Sequence, residues 1–212
     1  SGIQEVQRKF FGTLYSVYSF FALYANIDAF NYTEDEVAVI NRTEIDRWII
    51  SELNTLIADV ELNYEDYDPT RSARLIQDFV IDKLSNWHIR LSRRRFWKGE
   101  YNADKISAYQ TLYECLEKIA IIAAPIAPFF MDNLFQDLNN PCQKHSIHSV
   151  HLAQFPTLEK EKIDADLEDK MHLAQNITSM VLSLRKQEKI RVRQPLYKIL
   201  IPVLDAKMKT HI

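Results

Sequence analysis

Apolar side chains recur at helical spacing along most of the chain, and this pattern predicts a succession of helices. In the first of them, over residues 3–26, apolar side chains occupy nearly every face. That pattern is typical of a helix surrounded by other helices, so we expect this helix at the centre of a bundle. Four further helices are predicted: from Thr43 past Val60, from Pro69 to Trp97, from Asp104 to Ala124, and from Pro128 to near Asn139.

Polar residues, prolines and a glycine mark where these helices begin and end. Thr43, followed three residues later by Asp46, is typical of a helix start. Asp68 precedes Pro69, and proline favours the first helical position because its missing N–H would have no partner there. Gly99 interrupts the apolar pattern that follows. The sequence therefore predicts a mainly α protein.

The pattern changes after residue 140. The segment SVHLAQFP is short, apolar and ends in proline, which indicates an extended segment. A long helix is predicted over residues 166–188, and IRVRQPLYKILIPV alternates as one or two strands would. We therefore predict three parts: a helix bundle over 1–140, a linker with an extended segment over 141–163, and a long helix with short strands, the start of a truncated α/β unit, over 164–212.

Composition supports a mostly helical protein with a buried core. The chain has 212 residues, 47% of them hydrophobic, and only three glycines, which argues against a turn-rich β architecture. Two cysteines cannot form a disulfide framework, so a reducing cytoplasm fits best. The longest apolar run, residues 119–131, contains two prolines and is shorter than the roughly 20 residues of a membrane span, so no membrane is expected. Because the chain opens in a helical pattern without methionine, we expect a piece of a larger protein.

Charge is unevenly distributed, although the net charge is only −3. Residues 28–68 contain twelve Asp or Glu and two Lys or Arg, whereas residues 83–98 contain six Lys or Arg and no carboxylate. A second basic run, residues 185–198, has six Lys or Arg and one Glu. Two basic segments on an otherwise acidic chain indicate a localised site for a polyanion.

The first basic segment, NWHIRLSRRRFW at residues 86–97, divides into faces on a helical wheel drawn at about 100° per residue. The wheel places Trp87 and Leu91 on an apolar stripe that faces the core, with Arg94 and Arg95 at the borders of the core. A polar face beside the stripe is free to contact solvent or a ligand. Its members are Lys83, Asn86, Arg90 and Arg93.

Three interpretations of this basic segment are open from the residues alone. A helix C-terminus favours cations through its dipole, but one or two cations would be enough. The basic residues could instead pair with the acidic region 28–68, which lies close by in sequence. Alternatively they form a phosphate-binding face, with guanidinium groups for phosphate oxygens and amide or aromatic groups for bases.

The sequence offers only weak candidates for catalysis or metal binding. It contains no glycine-rich phosphate loop, nucleophile elbow or HExxH motif. Cys142, His145, His148 and His151 recur every three residues, but an extended segment would point them to opposite faces, so we expect surface histidines. His88 has no nucleophile within a helical turn, and we expect it at the boundary of the core.

Several motifs together resemble a known family. In order they are RKFFGTLYSVYSFFALYANIDAF, DRWIISELNTLI, NWHIRLSRRRFW, APIAPFF, SVHLAQFP and KIRVRQPL. From residue 4 to residue 203 the chain resembles the part of isoleucyl-tRNA synthetases that follows their catalytic domain, and the valyl and leucyl enzymes share a cruder form of the pattern. The resemblance implies a class Ia anticodon-binding helix bundle that grips the anticodon arm. A helical protein-interaction module without a nucleic-acid role is the alternative from another class.

The resemblance also implies partners and cofactors. The full-length enzyme would join isoleucine to tRNA(Ile) using ATP and magnesium, and would carry catalytic and editing domains in the same polypeptide. The HIGH and KMSKS signatures are absent from this sequence. Such enzymes are associated with a zinc ion, but the two cysteines of this chain are too few to assign a zinc site to it. We therefore expect no cofactor in this piece, and a cytoplasmic monomer.

Residue roles follow from the resemblance as well. In the family, the first helix and the NWHIRLSRRRFW helix flank the anticodon stem-loop, which nominates Ser16 and Ser19 on the first helix. Trp97 is expected either as a stacking platform or in the core, and the second basic run either on the tRNA stem or in solvent. The full set of RNA-contact candidates is Ser16, Ser19, Lys83, Asn86, Arg90, Arg93, Trp97, Lys186, Lys189, Arg191 and Arg193.

Overall fold

The computed structural model describes residues 2–203 and 206–211. Two of its helices contain a stretch with π-helical hydrogen bonds. Helix α1 consists of Gly2–Val6, the π-helical stretch Gln7–Phe11, and Gly12–Asp28, and helix α3 consists of Pro69–Asp78, the π-helical stretch Phe79–Ile89, and Arg90–Trp97. The other α-helices are α2 (Glu44–Glu65), α4 (Ala103–Ala123), α5 (Pro128–Cys142), α6 (Ala165–Gln187) and α7 (Ala206–His211). Short 3₁₀ helices lie at Val39–Asn41, Val150–Leu152 and Lys160–Lys162, and the second of these stands where the sequence predicted an extended segment.

The starts of α2 and α3 agree with the sequence signals. Pro69 is the first residue of α3, and Oδ1 of Asp68 accepts a hydrogen bond from the N–H of Arg71 at 2.9 Å. Thr43 precedes α2, and its hydroxyl donates to Oδ2 of Asp46 at 2.9 Å. The bond from Arg71 to Asp68 gives a partner to a backbone N–H that the first turn of a helix leaves free, whereas the bond from Thr43 to Asp46 joins two side chains.

Helix α4, rather than α1, lies at the centre of the bundle. Most of α4 is buried, including polar side chains such as Gln110. The amide of Gln110 donates to the carbonyl oxygen of Asp35 at 3.0 Å and accepts from the N–H of Val37 at 2.9 Å, so its burial leaves no polar group unpaired. The prediction that α1 is central is wrong, because its apolar faces are not all covered. Only one stripe is buried, formed by Phe10, Leu14, Val17, Phe21 and Ala25.

Aromatic contacts join α1, α3 and α4. The ring of Phe96 lies 5.1 Å from the ring of Phe20 and 5.1 Å from that of Tyr109, both in edge-to-face geometry. Such contacts between buried rings add to the stabilisation from removing apolar surface from water. The end of α3 is therefore anchored between the first and fourth helices.

The segment after α5 lies against the bundle. The N–H of Val150 donates to Oδ1 of Asp132 at 2.8 Å, and Val150 itself is buried. Further along, the N–H of Glu159 donates to Oδ1 of Asn54 at 3.2 Å. This segment is therefore held to α5 and α2 by side-chain hydrogen bonds.

Contacts divide the chain into two units between Ile163 and Asp164. Within the second unit, Nε2 of His211 lies 2.9 Å from Oδ1 of Asp166 and links α7 to α6. The strands predicted there are not formed, since residues 188–203 make turns and irregular structure. A strand needs a neighbouring strand for its hydrogen bonds, and the described residues of this unit supply none. No helix in residues 2–203 and 206–211 has the length and apolar character to cross a membrane.

Candidate nucleic-acid interface

The winding of α3 decides which of its candidate residues face outward. The π-helical stretch Phe79–Ile89 has i→i+5 hydrogen bonds and turns less per residue than an α-helix. As a result, residues spaced four apart stay on the same side of α3, and this side is the buried one. The members of this buried row are Ile76, Val80, Leu84, His88, Ser92 and Phe96.

This winding corrects several predictions from the α-helical wheel. The wheel places Trp87 and Leu91 in the core, but Trp87 is half-buried and Leu91 is 57% exposed. It places Arg94 at the border of the core, yet Arg94 is exposed. His88, expected at the boundary, is fully buried. The wheel fails because extending about 100° per residue through a π-helical stretch shifts the phase of everything beyond it.

The side of α3 opposite the buried row carries a cluster of exposed side chains. We call this cluster the arginine face; its residues are Asn86, Arg90, Arg93, Arg94 and Trp97. The three guanidinium groups have no hydrogen bond or ion pair with any other residue in the described part of the chain. Three unpaired guanidinium forks within two helical turns are suited to bidentate contacts with phosphate oxygens.

Two other cations of the basic segment are used inside the fold. The ammonium group of Lys83 pairs with Glu52, and the guanidinium of Arg95 pairs with Asp46 at 2.7 Å. Both carboxylates belong to the acidic region 28–68, so pairing with that region accounts for these two cations. It does not account for the arginine face. An RNA contact by Lys83 would have to break an existing ion pair.

Asp46 lies at the centre of a buried hydrogen-bond cluster that sequence reasoning missed. Nη1 and Nη2 of Arg95 donate to its two oxygens at 2.9 and 2.7 Å, and Nε2 of His88 lies 3.0 Å from Oδ1. Burial raises the pKa of Asp46, but the hydrogen bonds from His88 and Arg95 outweigh burial and hold the pKa well below its ordinary value. His88 and Arg95 follow Asp46 by 42 and 49 residues, so no local pattern joins them to it. The sequence marked Asp46 only through its spacing of three residues from Thr43.

The two candidate serines of α1 differ in their position relative to α3. Phe20 packs on Phe96, so the side of α1 that carries Phe20 borders α3. Ser16 lies one turn before Phe20 on that side, and its hydroxyl donates to the carbonyl oxygen of Gly12 at 2.7 Å. Ser19 lies about 100° around the helix from Phe20, away from α3. Ser16 therefore lies on the side of α1 that borders α3, one turn from the Phe20–Phe96 contact.

Trp97 ends α3 and is 49% exposed. The next aromatic residue, Tyr101, is also partly exposed, and its hydroxyl donates to a carboxylate oxygen of Glu34. The preceding residue, Phe96, is buried against Tyr109. About half of the indole surface of Trp97 is therefore open to a partner, whereas its neighbour belongs to the core.

The second basic run lies in the other unit and forms a turn after α6. Nη1 of Arg185 donates to the carbonyl oxygens of Arg191 and Gln194 at 2.8 and 2.9 Å and holds this turn together. Lys189 has a left-handed backbone with φ of 54° just after the helix end. All four candidate residues of this run are exposed: Lys186, Lys189, Arg191 and Arg193.

Cys142, at the end of α5, and the histidines that follow it have different surroundings. Sγ of Cys142 lies 3.1 Å from the hydroxyl of Tyr113, and Nε2 of His145 lies 2.6 Å from Oε1 of Glu117. Two more are exposed, His148 and His151. Within the described ranges, 2–203 and 206–211, no three or more His, Cys, Asp or Glu side chains are placed to hold a metal ion.

Comparisons with known proteins identify the family. The profile described as the anticodon-binding domain of tRNA ligase matches residues 46–200. Isoleucine–tRNA ligase of Cytophaga hutchinsonii is 58% identical over 211 residues, which are 100% of this chain and 19% of that protein. The Bacteroides thetaiotaomicron enzyme is 57% identical over 211 residues, 100% of this chain and 18% of that protein. The Dehalococcoides mccartyi enzyme is 44% identical over 212 residues, 98% of this chain and 20% of that protein.

The chain thus spans about one fifth of the length of these curated relatives. The matched region begins at Asp46 and contains the whole arginine face. These three relatives are isoleucine enzymes, as the motifs indicated. The resemblance stated from the sequence is confirmed, and the chain belongs to the family of anticodon-binding domains of tRNA ligases.

Proposed function

We propose that this chain binds the anticodon arm of tRNA(Ile) as part of an isoleucine–tRNA ligase, and that the arginine face of α3 makes the contact. One observation carries this proposal. Arg90, Arg93 and Arg94 are exposed together and have no partner among the described residues, on a chain whose net charge is −3. A local excess of unpaired guanidinium groups on an acidic protein suits a polyanion.

The arginine face contains the kinds of groups that RNA recognition needs. Guanidinium groups bind phosphate oxygens and fix the position of the RNA backbone. The amide of Asn86 can pair with a base edge, and the exposed part of the Trp97 indole offers a flat surface for an unstacked base. The oxygen of Ser16, beside α3, can accept a hydrogen bond from a ribose hydroxyl. Together these groups would hold a single-stranded loop and the phosphates next to it.

The catalytic steps of the longer protein would take place outside this chain. ATP, magnesium and isoleucine would bind in the parts of the polypeptide outside this chain, as would an editing site and any zinc. We further propose that the longer protein is a cytoplasmic monomer. In it, residues 190–203 would find strand partners, and the basic turn after α6 would contact the tRNA stem.

Charge reversal on the arginine face tests the proposal. Arg90→Glu combined with Arg93→Glu should lower the affinity for a tRNA(Ile) transcript at least about 100-fold, because two charge-assisted contacts are lost and two repulsive charges are added. The matched control is Arg71→Glu with Arg74→Glu, which makes the same charge change at the opposite, also exposed end of α3. Fluorescence anisotropy gives the affinities, and circular dichroism checks that both variants melt as the unmodified chain does.

Three results would contradict the proposal. Equal affinities of the two double variants for tRNA would show that the arginine face does not contact the RNA. No binding of the unmodified chain to tRNA at moderate salt would favour a helical protein-interaction module. Equal binding of a transcript with a substituted anticodon would show that the contact lies outside the anticodon.

A further inference from the structure

Asp46 and Arg95 join three helices next to the arginine face. Asp46 belongs to α2 and accepts hydrogen bonds from Arg95 of α3 at 2.9 and 2.7 Å. Nη2 of the same guanidinium also donates to the carbonyl oxygen of Asp104 at 2.8 Å and to Oγ of Ser107 at 3.0 Å, both in α4. The side chain of Arg95 is only 15% exposed and that of Asp46 is fully buried. The same guanidinium pairs with the carboxylate of Asp104 at 2.9 Å, so Arg95 links α3 to both α2 and α4.

In sequence, the contacts to Asp46 lie on either side of the three arginines of the arginine face. His88 comes two residues before Arg90, and Arg95 comes directly after Arg94. Both contact residues touch α2 from the buried side of α3. Holding α3 at these two points fixes the direction of the side chains between them that point away from α2.

Apolar packing by itself defines the rotation of this part of α3 weakly. Between Leu84 and Phe96, Ile89 is the one buried apolar side chain of α3, and the other two buried positions, His88 and Ser92, are polar. Nδ1 of His88 and Oγ of Ser92 are buried without a hydrogen-bond partner among the described residues. The π-helical stretch ends just before Arg90, so the winding changes within one turn of the arginine face. A slip of one residue would rotate the face by about 100°.

We propose that Asp46 is a positioning residue for RNA binding. Through His88 and Arg95, its carboxylate fixes the rotation of α3 that presents Arg90 and the arginines after it on one face. This inference rests on the proposed function and goes further, because Asp46 itself is buried and cannot touch RNA. Without the carboxylate α3 stays helical, but its arginines point in a wider range of directions and fewer of them reach phosphates at the same time.

The test compares Asp46→Asn with a matched control, Glu117→Gln. Glu117 is also a buried carboxylate with two side-chain partners, since Lys144 lies 3.0 Å and His145 2.6 Å from its oxygens. Lys144 and His145 follow α5 in the chain, and their contacts with Glu117 do not involve α3. Each variant exchanges a carboxylate for an amide of the same shape. The association constant for a tRNA(Ile) transcript is measured at a series of KCl concentrations and corrected for the folded fraction by circular dichroism.

The salt dependence separates positioning from loss of stability. The slope of log K against log [KCl] reports how many phosphates the protein neutralises. Asp46→Asn should reduce the magnitude of this slope by about one to two, because each arginine that loses its phosphate contact removes about one. Glu117→Gln should leave the slope unchanged, even where it lowers the folded fraction. A purely structural role for Asp46 would change only the folded fraction.

An unchanged slope for Asp46→Asn, with tRNA binding by the unmodified chain intact, overturns the positioning role and leaves the proposed function standing. If the unmodified chain does not bind tRNA, both proposals fall. If Asp46→Asn does not fold, Arg95→Lys decides the matter. Lysine keeps the charge but cannot contact both carboxylate oxygens and α4 together, so the slope should fall by about one. An unchanged slope for Arg95→Lys also overturns the positioning role.

Discussion

The two terminal nitrogens of Arg95 each donate to one carboxylate oxygen of Asp46, at 2.9 and 2.7 Å. Paired N–H···O contacts of this kind are among the stronger hydrogen bonds in proteins. Since the carboxylate is fully buried, removing Arg95 leaves a buried charge that keeps the hydrogen bonds from Thr43 and His88 but has lost its guanidinium partner. Changes at this pair are therefore expected to affect both the stability of the fold and the orientation of α3.

Asp46→Asn is expected to make the stability of the chain less sensitive to acid. The pKa of Asp46 is lower in the folded chain, so its carboxylate stabilises the fold above the unfolded pKa of about 4. That stabilisation is lost as the pH falls below 4 toward the folded pKa. At pH 7 the substitution should lower the free energy of unfolding by about 3 kcal/mol. Below about pH 4 the difference from the unmodified chain should shrink.

Urea unfolding between pH 7 and pH 2.5 measures this difference. Glu65→Gln serves as the control because Glu65 is exposed, and it should change the free energy of unfolding by less than about 0.5 kcal/mol at every pH. A difference between Asp46→Asn and the unmodified chain that stays constant throughout this range would contradict the expectation.

Alanine substitution of two adjacent arginines of α3 should change the stability of the chain by very different amounts. Arg95→Ala should cost about 3 kcal/mol of unfolding free energy, because it leaves Asp46 buried without its main partner. Arg94→Ala should cost less than about 0.5 kcal/mol, because Arg94 is exposed. In the folded protein, Arg94→Ala should reduce the salt slope of tRNA binding by about one, because one phosphate contact is lost. A large loss of stability in Arg94→Ala would support the position at the core border that the helical wheel assigns to it.

Much of the bundle could be predicted from local signals in the sequence. The Asp68-Pro69 pair and the Thr43 spacing mark helix starts because a few neighbouring residues determine a cap. Apolar periodicity likewise locates α2, α4 and α5. These features depend on interactions within about one helical turn, which a single sequence displays directly.

Features that depend on distant partners were not predictable. The central position of α4 requires that polar side chains such as Gln110 find partners in the loop after α1, over 70 residues away. The outward direction of Arg94 depends on π-helical winding, which apolar spacing alone does not distinguish from α-helical winding. The RNA candidates Asn86, Arg90 and Arg93 are exposed on one face, as the wheel indicated, and their contact with RNA stays a prediction.

Tyr64→Phe should make the chain less sensitive to alkali. The hydroxyl of Tyr64 donates to the carbonyl oxygen of Ile122 at 2.7 Å, and burial raises the pKa of Tyr64 to about 12. A raised pKa means that the neutral phenol stabilises the fold below the unfolded pKa of about 10, and this contribution is lost as the pH rises toward 12. The substitution should cost about 1 kcal/mol at pH 8, and less at pH 11. Urea unfolding at both pH values tests this, with exposed Tyr67→Phe as the control.

Trp97 should be the tryptophan that tRNA protects from solvent. Of the three tryptophans, Trp48 is fully buried, Trp87 is half-buried and Trp97 is 49% exposed, so Trp97 should dominate quenching of the fluorescence by acrylamide. Acrylamide is neutral, and the arginine face therefore does not concentrate it. Saturating tRNA(Ile) should reduce quenching in the unmodified chain but not in Trp97→Phe. Loss of base stacking is worth about 1–3 kcal/mol, so Trp97→Ala should weaken binding by roughly 5- to 150-fold. If tRNA binds and the quenching of Trp97 does not change, the indole packs only against protein.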